Sequence, residues 1–426
     1  MRNVEDQLSL EVHRTLQEVT ITDVHTHLFP PSFGKALLWG PDELLTYHYL
    51  IAELFTVAKW DLTYDKFWSM TKVQQADLIW EQLFINHGPL SEAARGVITT
   101  FHKLGLETKK RDLASIRKWF AQQKLDEYLP KVFEIAKIDY AVMTNSPFNP
   151  KEAKYWQEHA PVPDCLKPAL RIDSLFDFEN WESVADAMTS QGYDVRSTTE
   201  GGQVLPQLDG KTFSEIRRFL VDWSKTIKPV YFAASFGPDF AYGKNKPLTE
   251  IIDHAIVPAA LELGLPFALM IGARRLANPG LRNAGVTVGT ADLYCLSELL
   301  RNHPHAKFLV TVLARTNQHE LTVLGRVFRN LHIFGCWWYC NNPSIIDEMT
   351  RQRLELLGTS FTAQHSDARV LDQLIYKWDH TREIISKVLT DKYRDLREAG
   401  WEFSKDEIAR DVRNIFGGSF EAFLKR

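Results

Sequence analysis

Phe308-Leu309-Val310-Thr311-Val312-Leu313 is an almost unbroken apolar run, with none of the polar alternation of a half-wet strand. Such a run suits a strand covered by helices on both faces. It makes up most of the strand candidate Lys307–Leu313, and seven further candidates accompany it: Thr20–His25, Ile138–Thr144, Lys167–Ile172, Val230–Ser235, Pro266–Ile271, Leu331–Trp337 and Leu357–Gln364. Helical patterns lie between them, and this alternation marks an α/β protein with parallel strands. Eight such strands predict a (β/α)8 TIM barrel rather than an open doubly wound sheet.

The spacing of the strands is uneven. The stretch between the first two candidates carries apolar residues at helical spacing over Asp42–Trp60, Tyr64–Phe84, Leu90–Leu104 and Arg111–Lys124. It reads as a helical insertion after strand 1. The expected organisation is therefore a barrel formed by residues 1–40 and 132–426, with residues 41–131 as the insertion. A second, smaller insertion covers about Ser174–Lys225, and its polar, Gly-rich stretch Ser197–Gly202 reads as a loop. From Val370 to Arg426 the pattern is helical again, with Gly400 and Gly417-Gly418 as stops.

Composition narrows the function classes. The 426 residues carry 50 basic and 54 acidic side chains, a net charge of −4, so bulk charge gives no support for nucleic-acid binding. The densest basic block, Lys109-Lys110-Arg111, is too short for a nucleic-acid patch. Apolar runs stop well short of the roughly 20 residues of a membrane-spanning helix. The N-terminus lacks the apolar core of a secretory signal, so a cytoplasmic location is expected. Four cysteines without a CxxC pair suit reduced, buried thiols. No nucleic acid and no membrane are expected as partners, whereas a homo-oligomer is expected from the prevalence of symmetric assemblies among soluble enzymes.

The strongest chemical signal is Thr22-Asp23-Val24-His25-Thr26-His27-Leu28. Residues i and i+2 of a strand share a face, so His25 and His27 present two imidazoles together. Neutral imidazoles ligate Zn²⁺ and similar ions, and active sites of barrels form at the C-terminal ends of strands. His365-Ser366-Asp367-Ala368-Arg369 follows the eighth candidate. Because strands 1 and 8 adjoin in a closed barrel, Asp367 can complete a metal site begun by strand 1. Arg369 offers a fixed cationic fork for a carboxylate or oxyanion. His365 is left outside the ligand set.

Together these motifs resemble the amidohydrolase superfamily, and further residues narrow the resemblance to its uronate isomerases. His48-Tyr49 is similar to the family's His-Tyr pair, Leu170-Arg171-Ile172-Asp173 to its Arg at a strand end, and Ala314-Arg315-Thr316-Asn317 to its Arg-x-Asn segment. Gly335-Cys336-Trp337-Trp338 resembles the Gly-x-Trp-Trp run, and Asp367-Ala368-Arg369 the Asp-x-Arg. One position departs: Leu269-Met270-Ile271-Gly272 stands where the family carries Leu-His-Ile-Gly.

The resemblance implies a barrel of the metal-dependent hydrolase type. It implies metal-dependent aldose–ketose isomerisation of D-glucuronate to D-fructuronate and D-galacturonate to D-tagaturonate, through a cis-enediol. With the strand-5 His absent, the ligand set is His25, His27 and Asp367, holding one divalent metal: Zn²⁺ foremost, with Mn²⁺, Co²⁺ or Fe²⁺ also suited. Arg171 and Arg315 are candidates for binding the uronate carboxylate or hydroxyls, and Trp337 and Trp338 for walling the pocket. Arg369 is a candidate for stabilising developing charge, and Asp367 for moving a proton besides ligating. His48 and Tyr49 are the remaining acid–base candidates. The neighbouring alternative is a mononuclear metal-dependent hydrolase or decarboxylase of the same superfamily.

Overall fold

The structure is a computed structural model and describes residues 2–426. Among these residues, seven parallel strands form one sheet: β1 Ile21–Thr26, β2 Ile138–Asn145, β3 Leu166–Arg171, β4 Phe232–Phe236, β5 Phe267–Ile271, β6 Phe308–Val312 and β7 Leu331–Ile333. They pair in chain order, so each crossover lays the next strand beside the last. β5 and β6 are buried at every position, as continuous apolar runs demand when helices cover both faces. The pairing of β1 with β2 shifts register between Asp23 and Thr26, the segment that carries His25. Such irregularities re-aim side chains and cluster beside active sites.

The eighth candidate, Leu357–Gln364, is not a strand. Leu357 ends the helix Pro343–Leu357, and only an isolated bridge between Phe334 and Thr362 remains. Its backbone is nonetheless engaged on both sides. Thr362 N donates to the Ile333 carbonyl (2.9 Å), and Gly335 N to that of Thr362 (2.9 Å). Further along, Asp367 N donates to the His25 carbonyl (3.1 Å), and His27 N to that of Ala368 (2.8 Å). The seventh candidate also shortens, because the chain leaves β7 at Phe334 and turns at Gly335.

Helices fill the expected insertion, in shorter pieces than the periodicity predicts. Asp42–Trp60 resolves into Pro41–Leu45 and His48–Val57, which begins directly after Tyr47 in extended conformation. Thr71 and Gln74 form a reciprocal capping box that starts Lys72–Ile79. Ser197–Gly202 is a correction: Ser197–Glu200 pairs antiparallel with Gln203–Pro206, and the two glycines make the turn. The long helix Gln373–Glu398 is buried along much of its length and packs against Arg2–Glu18, Glu92–Lys103 and Leu125–Ala136. It thereby ties helices from residues 41–131 to the region of the sheet that holds β1. Among the described residues no helix is long and apolar enough to cross a membrane.

Candidate active site

His25 and His27 leave the C-terminal end of β1 with ring centroids 5.1 Å apart and planes nearly perpendicular. Asp367 arrives from the segment beside β1. Its Oδ1 lies 3.7 Å from His25 Nε2 and 3.3 Å from His27 Nε2. The three side chains are the one group among the described residues whose ligand atoms converge as a metal site requires.

Tautomers follow from the surrounding hydroxyls. Tyr231 donates its proton to the Val24 carbonyl (2.8 Å), so its oxygen is free to accept from His25 Nδ1 (3.1 Å). Thr144 donates to the Thr26 carbonyl (3.2 Å) and accepts from His27 Nδ1 (2.8 Å). Each imidazole therefore carries its proton on Nδ1 and turns the Nε2 lone pair toward Asp367. His25 Nε2 and Asp367 Oδ1 are buried and, among the described residues, have no hydrogen-bond partner. Buried polar atoms normally find partners. An orphaned lone pair and an orphaned carboxylate oxygen, beside a second free imidazole nitrogen, fit a divalent cation.

Electrostatics agree with that donor set. Burial holds His25 well below the usual histidine range, and the neighbouring His27 and His365 add to the effect, so it stays neutral. Burial would raise the Asp367 carboxyl, but the electrostatic influence of the surrounding His27, His25 and His365 outweighs it and keeps the group ionised. Asp367 has a φ of +52°, rare for a residue with a side chain. Its loop is held firmly: Ser366 N donates to Asp23 Oδ1 (3.0 Å), and Asp23 Oδ2 accepts from Trp378 Nε1 (2.8 Å).

A cavity of about 550 Å³ opens over this group. That volume suits a small organic ligand. His27, Asp367, Arg369, Arg171, Trp337 and Trp338 all line it, as does His48 from the start of the helix His48–Val57. Burial takes His48 down to about 3, so its imidazole is neutral, and its Nε2 is buried without a partner. Its ring stands 5.1 Å from that of Trp338. Tyr49 lies behind the wall with its ring 4.3 Å from His48 and its hydroxyl buried and unpartnered. Arg369 donates to the His27 carbonyl (2.8 Å) and lies over Phe29 (4.9 Å). Arg171 pairs with Asp173 (2.7 Å).

Arg315 is not brought to this cluster. It is exposed and makes a two-pronged pair with Glu348 (2.8 and 2.9 Å). Met270 is buried in β5 and fills the place of the expected histidine with an apolar side chain. Several lining residues escaped the sequence reading: Tyr47, Thr144, Glu152, Arg275 and Arg282. Thr144 carried the one available signal, a hydroxyl at a strand's C-terminal end. His365 lies in contact with His25 (centroids 5.2 Å) and stacks on Phe334, with neither ring nitrogen bonded.

The chain aligns over 99% of its length with 97% of a uronate isomerase from Bacillus halodurans C-125, at 45% identity and a TM-score of 0.93. A uronate isomerase from Thermotoga maritima (15% identity, 98% and 97% of the chains, TM-score 0.73) shares the fold. So does a glucuronate isomerase from Caulobacter crescentus (14% identity, 99% and 94%, TM-score 0.76). No family model and no curated protein matches the chain.

Proposed function

The chain belongs to the uronate isomerase family, and we propose that it is the aldose–ketose isomerase that interconverts D-glucuronate with D-fructuronate and D-galacturonate with D-tagaturonate. The observation that carries this reading is the meeting of His25, His27 and Asp367 at the floor of an arginine-lined cavity. In this reading those three residues hold one divalent metal, Zn²⁺ foremost. When bound, the ion supplies Lewis-acid polarisation of a substrate oxygen.

The protein groups then divide the remaining work. Neutral His48 has a free lone pair in the cavity and takes the C2 proton, returning it to C1 on the same face. A single base on one face accounts for a cis-enediol. Tyr49, beside His48, is its proton-exchange partner. Asp367 stays ionised and carries the O2 hydroxyl proton across to O1, so that the C1 aldehyde ends as the alcohol and C2 as the carbonyl. Among the described residues Arg369 has no carboxylate at ion-pair distance, and it stabilises charge that develops on the enediolate. Arg171, oriented by Asp173, donates to the sugar's hydroxyls. Trp337 and Trp338 wall the cavity and exclude water.

The segment Phe361–Ala368, bonded to β7 and to β1, supports reading the sheet as a (β/α)8 barrel in which this segment takes the eighth place. Residues 41–131 are then the insertion that supplies His48 and Tyr49. We further propose a homo-oligomer working in the cytoplasm.

The test is a coupled assay for ketouronate formation from each sugar, with metal-stripped and metal-loaded protein. Metal-dependent ketose formation supports the isomerase. Folded, loaded protein that turns over neither sugar overturns it in favour of a hydrolase or decarboxylase.

A further inference from the structure

Among the described residues that line the cavity, two carry carboxylates, Asp367 and Glu152. Asp367 belongs to the group formed with His25 and His27, and Glu152 takes no part in the proton transfers. Glu152 stands beyond the C-terminal end of β2, the strand that supplies Thr144 to His27. It lies in the first turn of the helix Pro150–Gln157.

A carboxylate in an arginine-lined wall can collapse into an ion pair, and Glu152 does not. Its Oε2 accepts from Ser146 N (2.8 Å) and its Oε1 from Asn149 Nδ2 (3.1 Å). Asn149 is fixed in turn, because its Oδ1 accepts from Lys151 N (3.0 Å) and Glu152 N (3.4 Å) at the start of the same helix. Each carboxylate oxygen thus gives one acceptor position to its own loop and keeps another. Arg171 and Arg369 act on the group electrostatically, yet among the described residues no cation lies at ion-pair distance from it. Burial raises the carboxyl, and neither the hydrogen bonds of the loop nor those two charges offset it. Glu152 is therefore an oriented, partly dehydrated acceptor that is still short of donors.

A helix-start role alone does not account for this placement. A Glu at the third helical position commonly reaches back to the residue before the helix, and that arrangement needs only solvent around it. Here the same anchoring holds the carboxylate in the wall of a cavity. The carbons that the isomerisation leaves unchanged, C3 to C5, each carry a hydroxyl in the open-chain sugar. Each of those hydroxyls has a proton to donate, and a hydrogen bond to an ionised acceptor is about twice as strong as one between neutral groups.

We propose that Glu152 is a substrate-binding residue that accepts hydrogen bonds from hydroxyls on C3–C5 of the open-chain uronate. This rests on the isomerase reading and adds to it the group that recognises the polyol part of the substrate.

The test is the kinetics of metal-loaded wild type, Glu152→Gln and Glu152→Ala on D-glucuronate and on its 3-deoxy, 4-deoxy and 5-deoxy analogues. Glu152→Ala should raise KM for D-glucuronate at least 10-fold, the worth of a charged hydrogen bond, with kcat within about 3-fold. Glu152→Gln keeps an acceptor oxygen for the loop or the sugar and should recover part of the loss. On at least one deoxy analogue, wild type and Glu152→Ala should agree in KM within about 3-fold, because the hydroxyl that Glu152 serves is gone. A loss of equal size on all four sugars marks the residue as a support of its loop and overturns the proposal. An unchanged KM in Glu152→Ala overturns it too, and in both cases an active wild type leaves the isomerase standing. Calorimetric titration with D-gluconate against hexanoate, which has the same length and carboxylate but no hydroxyls, reads binding without turnover. A gluconate preference that Glu152→Ala abolishes supports the hydroxyl acceptor even in a wild type without turnover, and a preference it leaves intact counts against it. A wild type that turns over neither uronate and binds gluconate no better than hexanoate overturns both readings.

Discussion

Tyr231 and His25 form a two-step relay from the backbone to the His25–His27–Asp367 group: the Tyr231 hydroxyl donates to the Val24 carbonyl and accepts from His25 Nδ1. Thr144 does the same for His27 from the neighbouring strand. Partners of this kind fix tautomer and ring orientation, and their removal typically costs 10–100-fold in metal affinity. Tyr231→Phe and Thr144→Val should each weaken binding of Zn²⁺ by about 10-fold or more. Competition with a chromogenic chelator measures this. Unchanged affinity in both variants would show that ring orientation is set elsewhere.

Arg171 and Arg315 separate cleanly in the structure, one lining the cavity and the other paired with Glu348 outside it. Arg171→Met should reduce kcat/KM on uronates by about 10- to 100-fold, the worth of a charged hydrogen bond. Arg315→Met should stay within about 3-fold of wild type, since exposed ion pairs contribute little. Equal losses in the two variants would contradict the assignment.

Gly335 should not tolerate a side chain. Its φ is +78°, and an added Cβ would lie 2.0 Å from His365 Cδ2 and 2.7 Å from His365 N. Gly335→Ala should destabilise the protein by about 2–4 kcal/mol, combining overpacking with a strained backbone. Thermal unfolding should place its midpoint several degrees below wild type.

His332 gives the fold an acid sensitivity. It is buried, bonded to the Thr362 hydroxyl (2.9 Å), and burial lowers it to about 3. Between pH 6.5 and 3 the unfolded chain binds a proton there that the native chain does not. Its contribution to stability is therefore complete above pH 6.5 and falls with acidification, by about 1.4 kcal/mol per pH unit. His332→Gln should be less stable at pH 7.5 yet lose stability more slowly down to pH 5. Urea unfolding at both values decides this, and parallel pH slopes would refute it.

Seven strands were legible because continuous apolar runs report burial on both faces, whatever lies between them. The eighth candidate misread Phe361–Ala368, which meets its neighbours through scattered backbone bonds that leave no periodic trace in side chains. The His25–His27–Asp367 group could be read because ligand chemistry shows in residue type. Arg315 misled for the opposite reason. An arginine beside a strand end looks alike whether it turns inward or, as here, outward to Glu348 on a following helix.

The left-handed backbone at Asp367 narrows what mutation can do at this position before any chemistry is considered. Among residues with side chains, Asn and Asp adopt that conformation most readily, and glycine adopts it freely. Single-base drift to Glu, Val or Ala pays a conformational penalty on top of the lost ligand, while Asn and Gly keep the loop but give up the carboxylate. A population of variants at residue 367 should thus split into well-folded inactive proteins and poorly folded ones, with no replacement that keeps both properties.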